Sequence, residues 1–564
     1  MLRGEKGQNL WFGHLCRKLG ACRLQCMEMR LNMKSRLRLY DIIYSLVGAF
    51  LFIVGKIVYD TNRLESFLEQ PGYYIVRGAA AWVVILAVLL LTEYLTGKFR
   101  IFKKEGESHA LPGKVFLALM LITVVVYSLC YLAYFPGIFS YDIKGQVDQV
   151  AGISPYCNYQ PVVHTLLWGG ATYLEKLLGV HPTGLMIYCI LQMLVTIAVC
   201  SYMLLWMGRK GTHRVIVLLS WGYLTFMPTL QIFSIITTKD IYFSDALIIL
   251  VTLLYDIGTE NAFSKFRLGG VAAAGIAACL LRNNMIYAVA FGFLVCLVMR
   301  GGKRLLFTMG SIAVSAVFFT KILYPAVGVE QVMPREALSV PMQQMSNVFI
   351  NAPETFTEEE MQIFMEYVPW AGNYNPRFAD VVKSGFEDEN YKERTKAFWK
   401  LWFEIGTKAP MHYINAFLTL NIPLWYPLAE PIDPYADREY IETKMLEKEE
   451  YKVEWMGVLP GLHAYYEGIA EFRNPGMNLF FLKPLFSLGF PFVSMYLGIY
   501  LICRDKRKEY FWIYMIYAGV FLTYLLGPVS NFRYIYPFCV AAPLLWMPMT
   551  CRSKGMEERG SKRG

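Results

Sequence analysis

The amino-acid sequence predicts an all-α polytopic membrane protein with about 12 transmembrane helices and one mainly helical extracytoplasmic domain. Three observations predict this fold class. Of the 564 residues, 55% are hydrophobic and only 17% are charged, whereas soluble domains carry about 25% charged residues. The apolar residues gather into blocks of about 16–23 residues, the length that crosses a hydrocarbon core of roughly 30 Å. Lysine and arginine are concentrated in alternate loops between these blocks, as the positive-inside tendency requires.

This composition excludes a soluble cytosolic enzyme, a disordered scaffold and a nucleic-acid-binding protein. In a soluble chain, the formal net charge of +10 would suggest a polyanionic partner. In a membrane protein the same charge instead reports which loops remain in the cytoplasm. We therefore expect membrane lipid as a partner and no nucleic acid.

Apolar blocks with charged borders define the candidate spans. In chain order they cover residues 41–59, 75–95, 115–135, 184–206, 215–236, 241–256, 266–281, 285–300, 305–325, 482–502, 511–528 and 534–550. With the N-terminus inside, the inner segments hold 31 lysines and arginines and the short outer segments hold six. We therefore predict a multi-pass protein of the cell membrane whose N- and C-termini are both cytoplasmic.

The spans divide the chain into six parts. These are a basic cytoplasmic tail (1–39), an N-terminal pair of transmembrane helices (40–114), a membrane core (115–325) with a large first outer loop (136–183), an extracytoplasmic domain (326–480), C-terminal transmembrane helices (481–551) and a basic cytoplasmic tail (552–564). The first tail lacks a signal-peptide cleavage pattern, and Met33 is an alternative start. The outer domain is net acidic and contains no cysteine, so we expect no disulfide framework there.

Two apolar stretches are expected to lie along the outer membrane face. The first, Val162–Leu178, is interrupted by charged residues. If it crossed, the basic residues after the next span would lie outside, so we expect a surface helix instead. The same argument applies to 411–425. Upstream, Ser140 is a candidate N-cap for a short helix that would present Asp142 at its start.

The few charges of the short outer segments occur in compact polar phrases. They are Tyr141-Asp142, Thr238-Lys239-Asp240, Arg282-Asn283-Asn284 and Asn531-Phe532-Arg533-Tyr534. An interfacial anchor or a helix-end ion pair would explain any one of them. Charges at membrane depth are costly and usually functional. Four such phrases on the same side of the membrane therefore favour one shared cavity.

Asp142 is the first candidate catalytic residue. A helix N-terminus stabilises the charged form of a carboxyl, which suits a general base or a metal ligand. The alternative is that Asp142 only caps the helix. Asp240 is the second candidate acid, and pairing with Lys239, Arg282 or Arg533 is the alternative for it.

The candidate substrate-binding residues supply cations and neutral donors. They are Lys239, Arg282, Asn283, Asn284, Arg533, Tyr534 and His164. Arginine has a planar donor fork that suits phosphate. For His164 the alternative is a satisfied interfacial histidine, and the outer histidines lack the spacing of a metal site. An acid beside several cations at the outer face predicts a reaction on a lipid-linked phosphate or diphosphate.

The arrangement of these motifs resembles the GT-C superfamily of integral membrane glycosyltransferases. The motifs that carry the resemblance are Phe135-Pro136-Gly137, Tyr141-Asp142, Gln160-Pro161, His164-Thr165, Thr238-Lys239-Asp240 and Arg533-Tyr534 with Pro537. More closely, the chain is similar to an uncharacterised (domain-of-unknown-function) family of polytopic membrane proteins from Gram-positive bacteria. The resemblance covers roughly residues 115–550, so the first two spans look like an N-terminal addition.

The resemblance implies a GT-C-like glycosyltransferase with its active site on the outer face. It implies a polyprenyl-phosphate-linked sugar donor and an extracytoplasmic acceptor, a cell-envelope glycan or glycolipid. Asp142 would deprotonate an acceptor hydroxyl, while Arg282 and Arg533 would hold the donor phosphate. Many such enzymes pair two acids in the first loop, whereas here the next acid is Asp148. A divalent metal, magnesium or manganese, therefore stays open as a cofactor.

Two other functions are open at the level of the sequence. A transporter or flippase for lipid-linked glycan precursors would place charges at mid-membrane depth, where Asp245 is the main candidate. A structural membrane component would instead use its acidic outer domain to bind a partner. The candidate charges lie at one membrane border rather than through its thickness, which favours the enzyme.

Overall fold

The computed structural model describes residues 38–101, 111–260, 264–299, 302–430, 440–441, 443, 453, 456–479 and 482–549. The two predicted cytoplasmic tails lie outside these residues, apart from Arg38 and Leu39. The described part of the chain is all-helical and contains no strands, only isolated bridges between single residue pairs. The predicted all-α fold class is therefore confirmed.

The helices follow the apolar blocks of the sequence, and short helical turns connect several of them. In chain order the helices are α1 (Leu39–Thr61), α2 (Pro71–Ile101), α3 (Gly113–Ala133), α4 (Ile143–Val150), α5 (Val162–Leu178), α6 (Thr183–Arg209), α7 (Arg214–Phe226), α8 (Pro228–Phe233), α9 (Lys239–Glu260), α10 (Lys265–Leu281), α11 (Met285–Val298), α12 (Lys303–Val317), α13 (Ser339–Asn351), α14 (Glu358–Tyr367), α15 (Asp380–Ser384), α16 (Asp388–Glu393), α17 (Thr395–Lys408), α18 (Pro410–Trp425), α19 (Pro460–Ala470), α20 (Phe490–Arg504), α21 (Phe511–Tyr524) and α22 (Phe532–Trp546).

Six helices are long and apolar enough to cross a membrane. They are α1, α2, α3, α6, α9 and α12 with its continuation to Ala326. Four shorter apolar helices, α7, α11, α20 and α21, coincide with further predicted spans, and α10 and α22 coincide with the remaining two. The protein is therefore a membrane protein with several apolar helices, and the number of twelve crossings stays a prediction.

The predicted span 215–236 is not one continuous helix. α7 ends at Phe226, Met227 is extended, and Pro228 begins the short helix α8. Proline has no backbone N–H and clashes with the preceding turn, so it starts a new helix rather than continuing the old one. The following loop, residues 234–238, is buried inside the bundle. Lys239 and Asp240 therefore begin α9 at the end of a buried loop.

The two largest hydrophobic cores of the described residues are separate from each other. The larger one joins the helices of the membrane core with α19 through α22. The smaller one lies in the predicted outer domain and is built between Leu338 and Tyr413. Within the predicted outer domain 326–480, α19 packs against α3 and α8 rather than in the smaller core. One part of this domain is thus built against the membrane helices.

Candidate functional site

Asp142 lies directly before α4, where three of the predicted outer segments meet. Its Oδ2 is 2.5 Å from Nη1 of Arg533 and 3.3 Å from Nζ of Lys239. Lys239 begins α9 and Arg533 lies in the first turn of α22. The Lys239 ammonium also donates to Oε1 of Gln160 at 2.5 Å. Three of the four polar phrases therefore meet at one carboxylate, while the shared cavity expected from the sequence stays a prediction.

Asp142 does not cap α4. It occupies the N-cap position, but its side chain makes no capping hydrogen bond. The prediction that Ser140 caps this helix is wrong. Its backbone N–H donates to Thr237 Oγ1 at 3.0 Å, and its hydroxyl donates to the Thr237 carbonyl at 2.6 Å. These two bonds join the loop before Asp142 to the loop before Lys239.

Charge pairing controls the protonation of Asp142. Its side chain is 16% exposed, and burial by itself would raise the pKa of a carboxyl. Arg533 and Lys239 outweigh burial, so the pKa of Asp142 is held well below its usual range. While both cations contact it, Asp142 is an ionised carboxylate with little tendency to accept a proton.

A second ion pair lies behind this cluster. The Arg282 guanidinium contacts the Asp240 carboxylate, and the two side chains are only 9% and 1% exposed. The guanidinium also lies over the rings of Tyr524 at 4.6 Å and Tyr534 at 5.0 Å. The donor fork of Arg282 is thus directed at Asp240 inside an aromatic enclosure.

Tyr534 connects the two ion pairs. The Arg533 guanidinium lies 5.1 Å from the centre of the same ring, and its Nη2 donates to the Tyr534 hydroxyl at 3.4 Å. Arg282 and Arg533 therefore share one aromatic ring. All four polar phrases are joined by direct contacts.

The two asparagines of the third phrase are placed differently. Asn283 Nδ2 donates to the Asn158 carbonyl at 2.9 Å. The backbone N–H of Asn158 in turn donates to the Glu330 carbonyl at 2.9 Å. Asn283 thus ties the predicted first outer loop to the start of the predicted outer domain, while Asn284 is exposed before α11.

His164 lies inside the protein and is only 1% exposed. Its Nδ1 is 2.8 Å from Gln146 Oε1, and its Nε2 is 2.6 Å from the Tyr188 hydroxyl. Burial and the charge of Lys239 lower the pKa of His164 to about 3. The ring is therefore neutral at physiological pH. It belongs to a buried hydrogen-bond network rather than to a substrate-facing surface.

The donor set at this cluster does not fit magnesium or manganese. These ions require several oxygen ligands in near-octahedral arrangement. Asp142 offers one carboxylate, and that carboxylate already faces two cations. In the part of the chain that the structure describes, no group of three or more His, Cys, Asp or Glu residues is placed to hold a metal ion.

Sequence reasoning missed two residues of the cluster. Gln160 orients the Lys239 ammonium, and Tyr524 encloses Arg282. Gln160 had a signal, because it is a polar residue directly before Pro161, which precedes α5. Tyr524 had none, since it is one of 38 tyrosines and ends an apolar helix.

Comparison with known proteins places the chain in a family. A family model described as a family of unknown function, DUF6020, matches residues 154–563. No curated protein and no solved structure matches the chain significantly. Lys239, Arg282 and Arg533 lie within the matched region, whereas Asp142 precedes it.

Proposed function

The chain belongs to the DUF6020 family of unknown function, and we propose that it is a membrane glycosyltransferase. It transfers a sugar from a polyprenyl-phosphate-linked donor to an extracytoplasmic acceptor, a cell-envelope glycan or glycolipid. The observation that carries the proposal is the carboxylate of Asp142 held between Arg533 and Lys239. A GT-C-like fold with twelve crossings and a site on the outer face are part of the same proposal.

The cations of the site have separate roles in this proposal. The side chains of Arg533 and Lys239 are 26% and 17% exposed, so they are accessible to a ligand. Arg282 is enclosed by Asp240 and two tyrosines. We assign the donor phosphate to Arg533 and Lys239. Arg282 and Asp240 are positioning residues that hold Tyr534, and through it Arg533, in place.

Donor binding activates Asp142 by competing for its cations. A phosphate accepts two parallel hydrogen bonds from one arginine and also binds a lysine ammonium group as a point charge. When the phosphate engages Arg533 and Lys239, Asp142 loses the charges that lower its pKa. Burial then dominates and raises that pKa. Asp142 therefore becomes an effective base only when the donor is bound.

The transfer step then balances without a redox change. The oxygen of the acceptor hydroxyl forms a bond to the anomeric carbon of the sugar, and the bond from that carbon to the donor phosphate oxygen breaks. The hydroxyl proton moves to Asp142. The polyprenyl phosphate leaves with the electron pair, and Arg533 and Lys239 stabilise the charge that develops on it.

A transporter or flippase for lipid-linked glycan precursors is the second candidate, and Asp245 favours it. This acid lies buried in α9, where the Thr196 hydroxyl donates to its Oδ2 at 3.1 Å. Among the described residues its Oδ1 has no hydrogen-bond partner. Acids within membrane helices often mark ion pathways. A single acid supports this function less strongly than the joined ion pairs support an enzyme.

The deciding experiment compares two variants near α4 in the same sugar-transfer assay. Purified protein in lipid vesicles receives labelled polyprenyl-phosphate sugars and an extract of envelope glycans and glycolipids. Asp142→Asn removes the base at nearly constant shape and is expected to lower transfer by about 100-fold or more. Asp148→Asn, six residues further along the chain, is the matched control and retains transfer.

Two results contradict this proposal. Equal transfer by wild type and Asp142→Asn would remove Asp142 as the base. Movement of a fluorescent lipid-linked glycan across the vesicle membrane, with no transfer by any form of the protein, would favour the transporter.

A further inference from the structure

A chain of buried polar side chains runs beneath the candidate site. Gln192 Nε2 donates to the backbone carbonyls of residues 234 and 236 at 3.0 and 2.8 Å. The Tyr188 hydroxyl donates to Gln192 Oε1 at 3.0 Å and lies 2.6 Å from His164 Nε2. His164 Nδ1 lies 2.8 Å from the side-chain amide of Gln146. All four side chains are buried.

This chain of hydrogen bonds ends at two segments of the candidate site, the segment that carries Asp142 and the segment that leads to Lys239. Gln146 follows Asp142 by four residues, so it lies one helical turn along α4. The carbonyls of residues 234 and 236 belong to the buried loop that leads directly to Lys239. The polar chain therefore bridges the segments that carry the carboxylate and one of its cations.

The direction of the hydrogen bonds follows from the Gln192 end. Carbonyl oxygens only accept, so Gln192 uses its amide N–H₂ group for them and its Oε1 must accept. Tyr188 has one proton and gives it to that oxygen. The Tyr188 oxygen then accepts a hydrogen bond from Nε2 of His164. A neutral His164 therefore carries its proton on Nε2.

The same logic fixes the other side of the ring. With its proton on Nε2, the neutral imidazole has a lone pair on Nδ1 and needs a donor there. The Nε2 of Gln146 has no hydrogen-bond partner among the described residues. Exchanging the amide oxygen and nitrogen of Gln146 turns that N–H₂ group toward His164 and satisfies Nδ1.

We infer that His164 is a positioning residue, which acts with Gln146, Tyr188 and Gln192 as a directed hydrogen-bond chain that sets the spacing between Asp142 and Lys239. This role is independent of the reaction that the site performs. Lys239 and Asp142 are the charged groups that act on His164. A cationic His164 could donate to both neighbours, but it would place a buried positive charge near Lys239. The neutral Nε2–H form avoids that charge.

Nitrogen-15 NMR of ring-labelled histidine tests the tautomer without any activity assay. The signal of His164 is identified by its loss in His164→Asn. We expect a neutral ring with the proton on Nε2, unchanged between pH 5 and 8. A ring that titrates in this range, or one that carries its proton on Nδ1, overturns the inference.

Tyr188→Phe tests whether the chain positions the site. It removes the hydroxyl that accepts from His164 and donates to Gln192, and we expect a mixture of His164 tautomers. It also weakens one link that holds Lys239 at its spacing from Asp142, while the two Ser140–Thr237 hydrogen bonds remain. The pKa of Asp142 should therefore rise, as measured by carbon-13 NMR of labelled aspartate with Asp142→Asn as the assignment variant. Tyr127→Phe is the matched control, because the Tyr127 hydroxyl is buried and donates to the Leu224 carbonyl, which is not part of the hydrogen-bond chain of His164.

The two readouts separate this inference from the proposed function. An unchanged His164 ring and an unchanged Asp142 pKa in Tyr188→Phe would overturn the positioning role, whether or not the protein transfers sugars. Absence of transfer in wild-type protein, with the NMR results as expected, would overturn the proposed function alone.

Discussion

Arg282 and Arg533 carry the same functional group in different surroundings, and exposure decides what each can do. Arg533 contacts Asp142 at a partly open position, while Arg282 is enclosed with Asp240 and two tyrosine rings. A buried ion pair is costly to break because the remaining partner keeps its charge without solvent or counter-ion. Arg282 is therefore more important for stability than for direct contact with a ligand.

We expect Arg282→Met to destabilise the protein by about 3–5 kcal/mol, because it leaves the Asp240 carboxylate buried and unpaired. Adding Asp240→Asn removes that charge and should recover part of the lost stability. Thermal unfolding in detergent measures both variants. A double variant no more stable than Arg282→Met would contradict the assignment of the cost to the unpaired carboxylate.

The pH dependence of stability at Asp142 follows from the lowered pKa of its carboxyl group. The pKa is lower in the folded state than the value of about 3.9 in the unfolded chain. The stabilisation from Arg533 and Lys239 is therefore complete above the unfolded value and is lost as the pH falls through the folded value. Asp142→Asn lacks this contribution at every pH.

Melting temperatures of wild type and Asp142→Asn between pH 3 and 8 check this expectation. We expect wild type to be the more stable form, with a constant difference from pH 8 to 5. The difference in melting temperature should narrow below about pH 4, because the Asp142 carboxyl of the unfolded chain begins to take up protons there. A difference that changes mainly between pH 6 and 8 would point to another titrating group.

At the scale of the helices, close approach of α11 and α21 depends on a glycine. A Cβ atom on Gly519 would lie 3.1 Å from the Cα and 3.2 Å from the carbonyl oxygen of Ala288. Backbone atoms cannot move aside as a flexible side chain can. Small residues permit such approach between membrane helices, where packing supplies much of the association energy.

Gly519→Ala should therefore push α21 away from α11 and cost about 1–3 kcal/mol, the usual penalty for overpacking. Gly222→Ala in α7 is the matched control, because a Cβ there meets nothing within 4 Å. The control should be neutral or slightly stabilising, since alanine has the higher helix propensity. Equal melting temperatures for the two variants would contradict tight packing at Gly519.

The helices could largely be predicted from the sequence because apolar length and charged borders act locally. Pro228 also indicated the helix break in the sequence. Because the residues on both sides of it are apolar, hydropathy alone predicted α7 and α8 as one continuous span. The contact of Asp142 with Arg533 spans 391 positions, and membrane sidedness predicted only that they share a face. Burial was not predictable, which is why His164 and Arg282 were expected to face a substrate.

At the scale of the whole molecule, the N-terminal helix pair is held at both ends. On one side, Arg504 of α20 contacts Asp41 at 3.2 Å and Glu93 at 2.7 Å. At the other end of α1, Asn415 of α18 accepts from the backbone N–H of Leu64 at 3.0 Å. Although these two spans lie outside the matched region, they are packed against helices within it.

The predicted sidedness can be tested with two native cysteines on opposite ends of the helices. Cys157 lies in the predicted first outer loop and is partly exposed, while Cys503 is exposed near the end of α20. If both termini are cytoplasmic, Cys157 faces the outside and Cys503 the inside. In a background in which the remaining cysteines near the two termini, Cys16, Cys22, Cys26 and Cys551, are replaced by serine, a membrane-impermeant maleimide added to intact cells should label the protein. Cys157→Ser should then abolish this labelling, whereas Cys503→Ser should not. After permeabilisation, Cys503 becomes a labelling site and the Cys157→Ser protein reacts.

Labelling of intact cells that persists in Cys157→Ser and disappears in Cys503→Ser would reverse the topology. The carboxylate of Asp142 and its cations would then face the cytoplasm, where an extracytoplasmic acceptor could not reach them.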